Sequence, residues 1–161
     1  HGNALLSKYP IVFERNHDVS IGGQEARGLL HCALQVPGTP LPVHAICVHL
    51  GLRERHRQRQ LEELVRLIES EVPPEAVLVV AGDFNDWRVR APRVLARCEG
   101  LREVFEHARG RTARTFPSAM PLLRLDRIYV RNARSQAPMD LPGKPWDRLS
   151  DHAPLGAELA L

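Results

Sequence analysis

Residues 77–86 read V-L-V-V-A-G-D-F-N-D, and this stretch decides the fold. A run that is apolar at every position suits a β-strand that is covered on both faces, and its β-branched valines favour a strand over a helix. The polar residues that follow, Asp83 and Asn85, would lie at the rim of a rigid sheet. Taken alone, Gly, Asp and Asn at this point also suit an ordinary turn.

The residues around this stretch predict a mixed α+β domain. Apolar alternation predicts strands at residues 26–36, 43–49, 125–130 and 155–161, and a turn between the first two makes them antiparallel neighbours. Residues 53–70 carry an apolar stripe at helical spacing and predict the clearest helix. The basic residues in the first turns of that helix are expected to form a solvated face.

The composition is that of one soluble globular domain over residues 1–161, with 43% hydrophobic and 25% charged residues. No segment approaches the ~18 consecutive apolar residues that a membrane span needs. A net charge of +3 favours anionic partners only mildly. The cysteines, Cys32, Cys47 and Cys98, form no C-x-x-C pair, which is typical of buried thiols in a reducing compartment and predicts a cytoplasmic location.

Four further motifs accompany G-D-F-N at residues 82–85. They are G-N-A-L-L-S at 2–7, H-L at 49–50, L-D-R-I at 125–128 and S-D-H-A-P at 150–154. In this order they resemble the endonuclease/exonuclease/phosphatase superfamily, which includes DNase I, abasic-site endonucleases of the exonuclease III type and neutral sphingomyelinases. The resemblance implies a DNase I-like, four-layer α/β/β/α sandwich.

The resemblance also implies roles for individual residues in phosphodiester hydrolysis. Asp126 would orient His152, and the residues point to the same pair, because an acid among inward-facing strand residues needs a partner. Asp83 would position or deprotonate the attacking water, Asn85 would donate an amide N–H, and His49 would donate to the phosphate. Phosphate binding would involve His49, Asn85 and His152. Whether Asp83 or His152 is the general base stays open.

A divalent cation, Mg²⁺ with Mn²⁺ as a substitute, is the cofactor that the resemblance implies. Asp151 matches an acidic position near that metal. The family's principal ligand is a glutamate that precedes the G-N-A-L-L-S motif, and it cannot be placed on this chain. We therefore expect the first strands of the domain to be missing from these 161 residues, Mg²⁺ binding and activity to be weak, and copies to associate through an exposed sheet edge.

The function predicted first is a metal-dependent phosphoesterase acting on a small molecule, a lipid head group or nucleic acid. Residues 2–11 and the motifs around 49, 82 and 125 resemble a bacterial branch of the superfamily related to YbhP, and this resemblance favours a small or lipid phosphodiester over DNA. Five per cent aromatic residues leave little for base stacking. The alternative is a non-catalytic module that keeps the fold and binds a phosphate or a protein partner.

Overall fold

The structure, a computed structural model, describes residues 2–23, 25–141 and 143–161. These residues contain two β-sheets and four helices. The strands are β1 (Ile11–Asp18), β2 (Gly28–Leu34), β3 (Val43–His49), β4 (Leu78–Asp83), β5 (Arg102–Glu103), β6 (Asp126–Arg131), β7 (Ser135–Met139) and β8 (Gly156–Ala160). The helices are α1 (Glu54–Glu71), α2 (Ala91–Leu95), α3 (Val104–Arg109) and α4 (Trp146–Leu149).

The larger sheet has the strand order β1-β2-β3-β4-β6-β5, and β7 pairs with β8 in the smaller one. Strands β3 and β4 are parallel and are joined through helix α1, as a parallel pair requires a crossover. The other paired strands are antiparallel. Strand β4 therefore lies inside the larger sheet, between β3 and β6.

Strand β4 is covered on both faces, as its uninterrupted apolar sequence predicts. Leu78 and Val80 belong to the main core, which they share with residues of helix α1. Val79 packs on the opposite side, in a second cluster that includes residues of β8. The layers run from helix α1 through the larger sheet to the smaller sheet, and the polar end of β4 faces the space beside the smaller sheet.

Helix α1 confirms the predicted apolar stripe, which is formed by Leu61, Leu64, Val65 and Ile68. The predicted solvated basic face is wrong at Arg57, which is 2% exposed. Its guanidinium donates to the carbonyl oxygens of Gly51 and Leu52 and pairs with Glu54. These bonds satisfy the buried charge and fix the loop that follows β3.

No helix within the described residues is long and apolar enough to cross a membrane. Cys32, Cys47 and Cys98 are all free, and burial raises the pKa of each thiol. Thiols with raised pKa values react slowly, because the thiolate is the reactive form. Cys32 and Cys98 are buried, as their scattered positions predict, whereas Cys47 is only partly buried. The cytoplasmic location stays a prediction.

Candidate active site

His49, Asp83 and Asp126 form one row across three neighbouring strands. Asp83 at the end of β4 pairs with His49 of the parallel strand β3 and with Asp126 of the antiparallel strand β6. Residues paired in register project to the same face of a sheet, which is here the face opposite helix α1. The structure thus brings together three side chains that are up to 77 positions apart in the sequence.

The turn after β4 fixes Asp83 and Asn85. The backbone N–H of Asn85 donates to Oδ1 of Asp83 at 2.7 Å, and Asn85 adopts a left-handed backbone with φ of +48°. Asparagine tolerates this conformation better than most residues. The side-chain Nδ2 of Asn85 donates to the carbonyl oxygen of Leu50 at 2.8 Å, so at most one amide hydrogen is left for a phosphate. Asn85 ties the end of β4 to the end of β3.

Asp126 and His152 are in direct contact, with 2.8 Å between Oδ2 of Asp126 and Nδ1 of His152. The predicted pairing is therefore confirmed as a contact, while the catalytic roles stay predictions. Burial opposes a charge on His152, but the hydrogen bond to Asp126 and the charges of Asp126, Asp83 and Asp151 outweigh it and raise the pKa of His152. The charged imidazolium form of His152 is thereby more favourable than it is for a histidine in water.

The loop at residues 115–118 holds the segment that carries His152. The backbone N–H of Ala153 donates to the carbonyl oxygen of Thr115 at 2.7 Å, and Oγ of Ser118 donates to the carbonyl oxygen of Ser150 at 2.6 Å. The ring of Phe116 lies 5.0 Å from the imidazole of His152, centroid to centroid. Sequence reasoning missed this positioning role, although the T-F-P motif at 115–117 marks it.

His49 and Asp83 are linked more loosely, with 3.5 Å between Nε2 of His49 and Oδ2 of Asp83. Burial, followed by the charge of Arg27, lowers the pKa of His49. Burial raises the pKa of Asp83, and the nearby carboxylate of Asp126 acts in the same direction. Asp83 is therefore a stronger proton acceptor than a carboxylate in water, and His49 is held neutral.

Two charged residues in the same motifs have structural contacts instead. Oδ2 of Asp86 accepts the backbone N–H of Ala91 at 2.7 Å, which caps the start of helix α2. Arg127 is fully buried, and its guanidinium donates to the carbonyl oxygens of Asp86 and Arg124. These bonds join the turn after β4 to the start of β6.

Asp151, the predicted metal ligand, is exposed, and Oγ of Ser150 donates to its Oδ1 at 3.4 Å. Its charge acts on the pKa of His152, which places it near the row. The carboxylates of Asp83, Asp126 and Asp151 are hard oxygen donors of the kind that Mg²⁺ prefers. Within residues 2–23, 25–141 and 143–161, these three carboxylates form no cluster of three adjacent ligand atoms.

A groove of about 420 Å³ opens beside His49 and was not foreseen from the sequence. Asn16, Ser20 and Arg27 are among the residues that line it. The guanidinium of Arg27 is paired with Glu25 at 2.7 Å and is only 8% exposed, yet its charge acts on the pKa of His49. Arg27 thus lines the groove as part of an ion pair with Glu25, and the carboxylate of Asp18 lines it as well.

The sequence profile of the "Endonuclease/Exonuclease/phosphatase family" matches residues 1–152. The uncharacterized protein YbhP of Escherichia coli K12 is 55% identical over all 161 residues, and the chain spans 63% of that relative's length. The superfamily predicted from the motifs is therefore confirmed. Its members are phosphoesterases and nucleases, and they commonly use divalent metals.

Solved structures confirm the DNase I-like fold. The mannosyl-6-phosphatase Bt3783 of Bacteroides thetaiotaomicron superposes with a TM-score of 0.71 at 17% identity, covering 96% of this chain and 68% of that chain. TDP2 of D. rerio, complexed with a single-strand DNA product, superposes with a TM-score of 0.62 at 20% identity, covering 92% and 66%. At these identities the likeness concerns the fold alone.

Proposed function

Because this chain belongs to the Endonuclease/Exonuclease/phosphatase family, we propose that it hydrolyses a phosphodiester with the help of Mg²⁺. The observation that carries this proposal is the row of His49, Asp83 and Asp126, completed by the contact between Asp126 and His152. It combines a carboxylate whose pKa is raised, an imidazole whose pKa is lowered and an imidazole whose pKa is raised. A positioned proton acceptor and positioned N–H donors are groups that assist the attack of water on a phosphate.

Asp83 is the general base in this proposal. Its Oδ1 is occupied by the backbone N–H of Asn85, so Oδ2 is the oxygen that accepts a proton from the attacking water. The raised pKa of Asp83 strengthens it as a proton acceptor. The raised pKa of His152 opposes loss of its proton, so we assign His152 the role of the acid.

His152 and His49 contact the phosphate. Asp126 holds Nδ1 of His152, which leaves Nε2 to donate to a phosphate oxygen or to the departing oxygen. His49, whose pKa is lowered chiefly by burial, would contact a second phosphate oxygen in its neutral form. The remaining amide hydrogen of Asn85 is available for a third contact.

Asp151 would help to hold Mg²⁺, or Mn²⁺ in its place, together with water molecules and phosphate oxygens. When bound, the cation would neutralise part of the negative charge that develops on the phosphate. The family's glutamate ligand has no counterpart among the described carboxylates of the row, so we expect weak metal binding by this chain. Isothermal titration measures it, and a tight stoichiometric Mg²⁺ site would contradict this expectation.

The substrate that we propose is a small or lipid-derived phosphodiester. The groove beside His49 has a volume of about 420 Å³, which suits a single head group. Aromatic residues make up 5% of the chain, which leaves few rings on which nucleic-acid bases could stack. Nucleic acid therefore ranks second.

The test is turnover of bis-p-nitrophenyl phosphate with and without Mg²⁺, followed by phospholipid and plasmid DNA as substrates. Asp83→Asn and His152→Gln should each lower the rate at least ~100-fold, which is the contribution of a positioned acid or base. Asp140→Asn is the matched control, because that carboxylate is 83% exposed and pairs with Arg109 on the surface. A rate that Asp83→Asn leaves unchanged would refute the assignment of the base.

A non-catalytic phosphate-binding module is the second candidate function. The incomplete set of metal ligands favours it, since the row can bind a phosphate through its histidines without turning it over. Chemical-shift changes of the histidine ring resonances on addition of phosphate, with no turnover at any Mg²⁺ or Mn²⁺ concentration, would support this candidate. Turnover that EDTA abolishes would exclude it.

Association between copies is a further part of the proposal. Strand β1 is the outer strand of the larger sheet, and Ile11, Val12 and Phe13 on it are exposed. An outer strand with exposed apolar residues can pair with a second copy. Light scattering after size-exclusion chromatography measures the mass, and a monomer at high concentration would count against association.

A further inference from the structure

A second cluster of ionisable side chains lies on the larger sheet, away from the row. His17 comes from β1, His31 from β2, and Glu71 is the last residue of helix α1. Strand pairing sets Arg15 opposite His31, and His17 lies two residues along β1 from Arg15, so both imidazoles share one face. The end of helix α1 brings the carboxylate of Glu71 over that face.

Two ring nitrogens in this cluster are buried without a hydrogen bond. Nε2 of His17 and Nδ1 of His31 have no hydrogen-bond partner in the part of the chain that the structure describes. Each lies 3.5 Å from Oε2 of Glu71. Buried polar atoms ordinarily make hydrogen bonds, so two imidazole nitrogens that converge on one carboxylate oxygen without one form an unusual arrangement.

The spacing of the three atoms suits a metal ion. Zn²⁺ binds nitrogen and oxygen ligands at about 2.0–2.2 Å, so ligand atoms at a tetrahedral angle lie about 3.4 Å apart. Both distances to Oε2 of Glu71 are 3.5 Å, and all three ligand atoms lie within 4.8 Å of one another. The side chain of His17 is 22% exposed and can rotate to close the remaining distance to His31.

The surroundings orient the ligands as metal sites require. Nε2 of His31 lies 2.8 Å from Nδ1 of His44, so a proton on Nε2 would be accepted by His44 and leave Nδ1 of His31 free to bind. Arg15 lies 3.6 Å from Oε1 of Glu71, which leaves Oε2 as the single ligand oxygen. His31 is fully buried, so its ring is held in place.

We propose that His17, His31 and Glu71 bind Zn²⁺ or a chemically similar dication. Two imidazoles and one carboxylate are typical zinc ligands, whereas Mg²⁺ prefers oxygen ligands alone. His17 and Glu71 also help to line a groove of about 300 Å³, through which an ion could reach them. The ion would join the outer strand β1 to β2 and to helix α1, and it is distinct from the cation proposed for phosphate hydrolysis.

The competing explanation is an ion pair between Glu71 and a protonated His17, with a water molecule between the buried nitrogens. Metal titration distinguishes the two. Metal-free protein at pH 7.5 should bind one equivalent of Zn²⁺ by calorimetry, and Co²⁺ should give the intense visible absorption of a tetrahedral site. Millimolar Mg²⁺ should not compete. Absence of Zn²⁺ binding, or weak binding of several equivalents, would overturn the proposal.

Substitutions locate the ion. Glu71→Gln and His17→Asn should each weaken Zn²⁺ binding at least ~10-fold, which is the lower end of what even an outer-shell change costs a metal site. Glu63→Gln is the matched control, because Glu63 lines the same groove but pairs with Arg66. Asp83→Asn is the second control and should leave Zn²⁺ binding unchanged. Zn²⁺ binding that survives Glu71→Gln, or that Asp83→Asn removes, would overturn the proposal.

Hydrogen exchange gives an independent readout. Zn²⁺ should slow amide exchange in β1 (Ile11–Asp18) of the unsubstituted protein and should have no such effect in Glu71→Gln. Exchange in β1 that is equally slow with and without Zn²⁺ would contradict the proposed link. Zn²⁺ binding and hydrogen exchange are both measured without phosphodiester turnover. Failure of the zinc site can therefore be distinguished from failure of the proposed hydrolase function.

Discussion

Gly82→Ala tests the physical reason for the glycine in the stretch that decides the fold. Gly82 is the residue before Asp83 in β4 and pairs with Val48 of β3. Its φ is +137°, a backbone conformation that residues with a side chain rarely adopt. A Cβ at this position would lie 2.1 Å from the carbonyl oxygen of Val48, where real Cβ atoms essentially never come closer than 3.0 Å.

The expected loss of stability has two parts. The backbone conformation costs about 1–3 kcal/mol for a residue other than glycine. Moving the Val48 carbonyl by about 0.9 Å, from 2.1 to 3.0 Å, disturbs the pairing of β3 with β4 and resembles overpacking, at about 1–3 kcal/mol more. We expect a total of about 2–6 kcal/mol, and a shift in Asp83 that also lowers activity.

Urea unfolding measures this loss, with Gly38→Ala as the matched control. Gly38 has φ of +83° and no atom within 4 Å of an added Cβ, so that substitution carries the backbone cost alone. The difference between the two variants isolates the clash with Val48. A loss below about 1 kcal/mol for Gly82→Ala, or one equal to that of Gly38→Ala, would refute the close approach as the reason for glycine.

Three further substitutions test the row and the turn. Asp83→Asn should lower turnover at least ~100-fold. It should keep or raise the melting temperature, because the folded state raises the pKa of Asp83 and its ionised form therefore costs stability at pH values above that pKa. Turnover and calorimetry at pH 7.5 measure the two effects. Asp126→Asn removes the partner that raises the pKa of His152, so the alkaline limb of kcat/KM should move to lower pH; a profile that does not move would exclude His152 as the acid. Asp86→Ala removes the cap on Ala91 and should cost about 1 kcal/mol in urea with little change in turnover, whereas a large loss of turnover would place Asp86 in the chemistry.

The sequence predicts the parts of this molecule that depend on local pattern. Helix α1 begins and ends one residue later than its apolar stripe predicts, and β3 (Val43–His49) has the predicted bounds. The contact between Asp126 and His152 was predicted from the resemblance to the superfamily, and it agrees with the rule that a half-buried acid on an apolar strand needs a partner. Periodicity and the requirement to pair a buried charge are both visible without coordinates.

Contacts that depend on loop geometry could not be predicted in this way. The amide of Asn85 donates to the carbonyl oxygen of Leu50 because the ends of β3 and β4 are adjacent, and a motif does not show which hydrogen is already used. Arg57 lies in a run of charges that suggests a solvated face. Its side chain is buried instead, and its guanidinium donates to a carbonyl oxygen of the loop after β3. His31 shares its site with residues from two other elements, so no local spacing marks it.

The row keeps two carboxylates where stability alone favours fewer. Asp83 and Asp126 are directly opposite on paired strands, and like charges in that position are destabilising. Asp83 lies near His49, and Asp126 contacts His152. Of these two imidazoles, only His152 has a raised pKa. An incoming phosphate adds negative charge to this row, so its binding depends on the proton of His152 or on a cation. Without added metal, phosphate affinity should therefore fall as the pH rises through the pKa of His152, and an affinity independent of pH would show that the phosphate binds elsewhere.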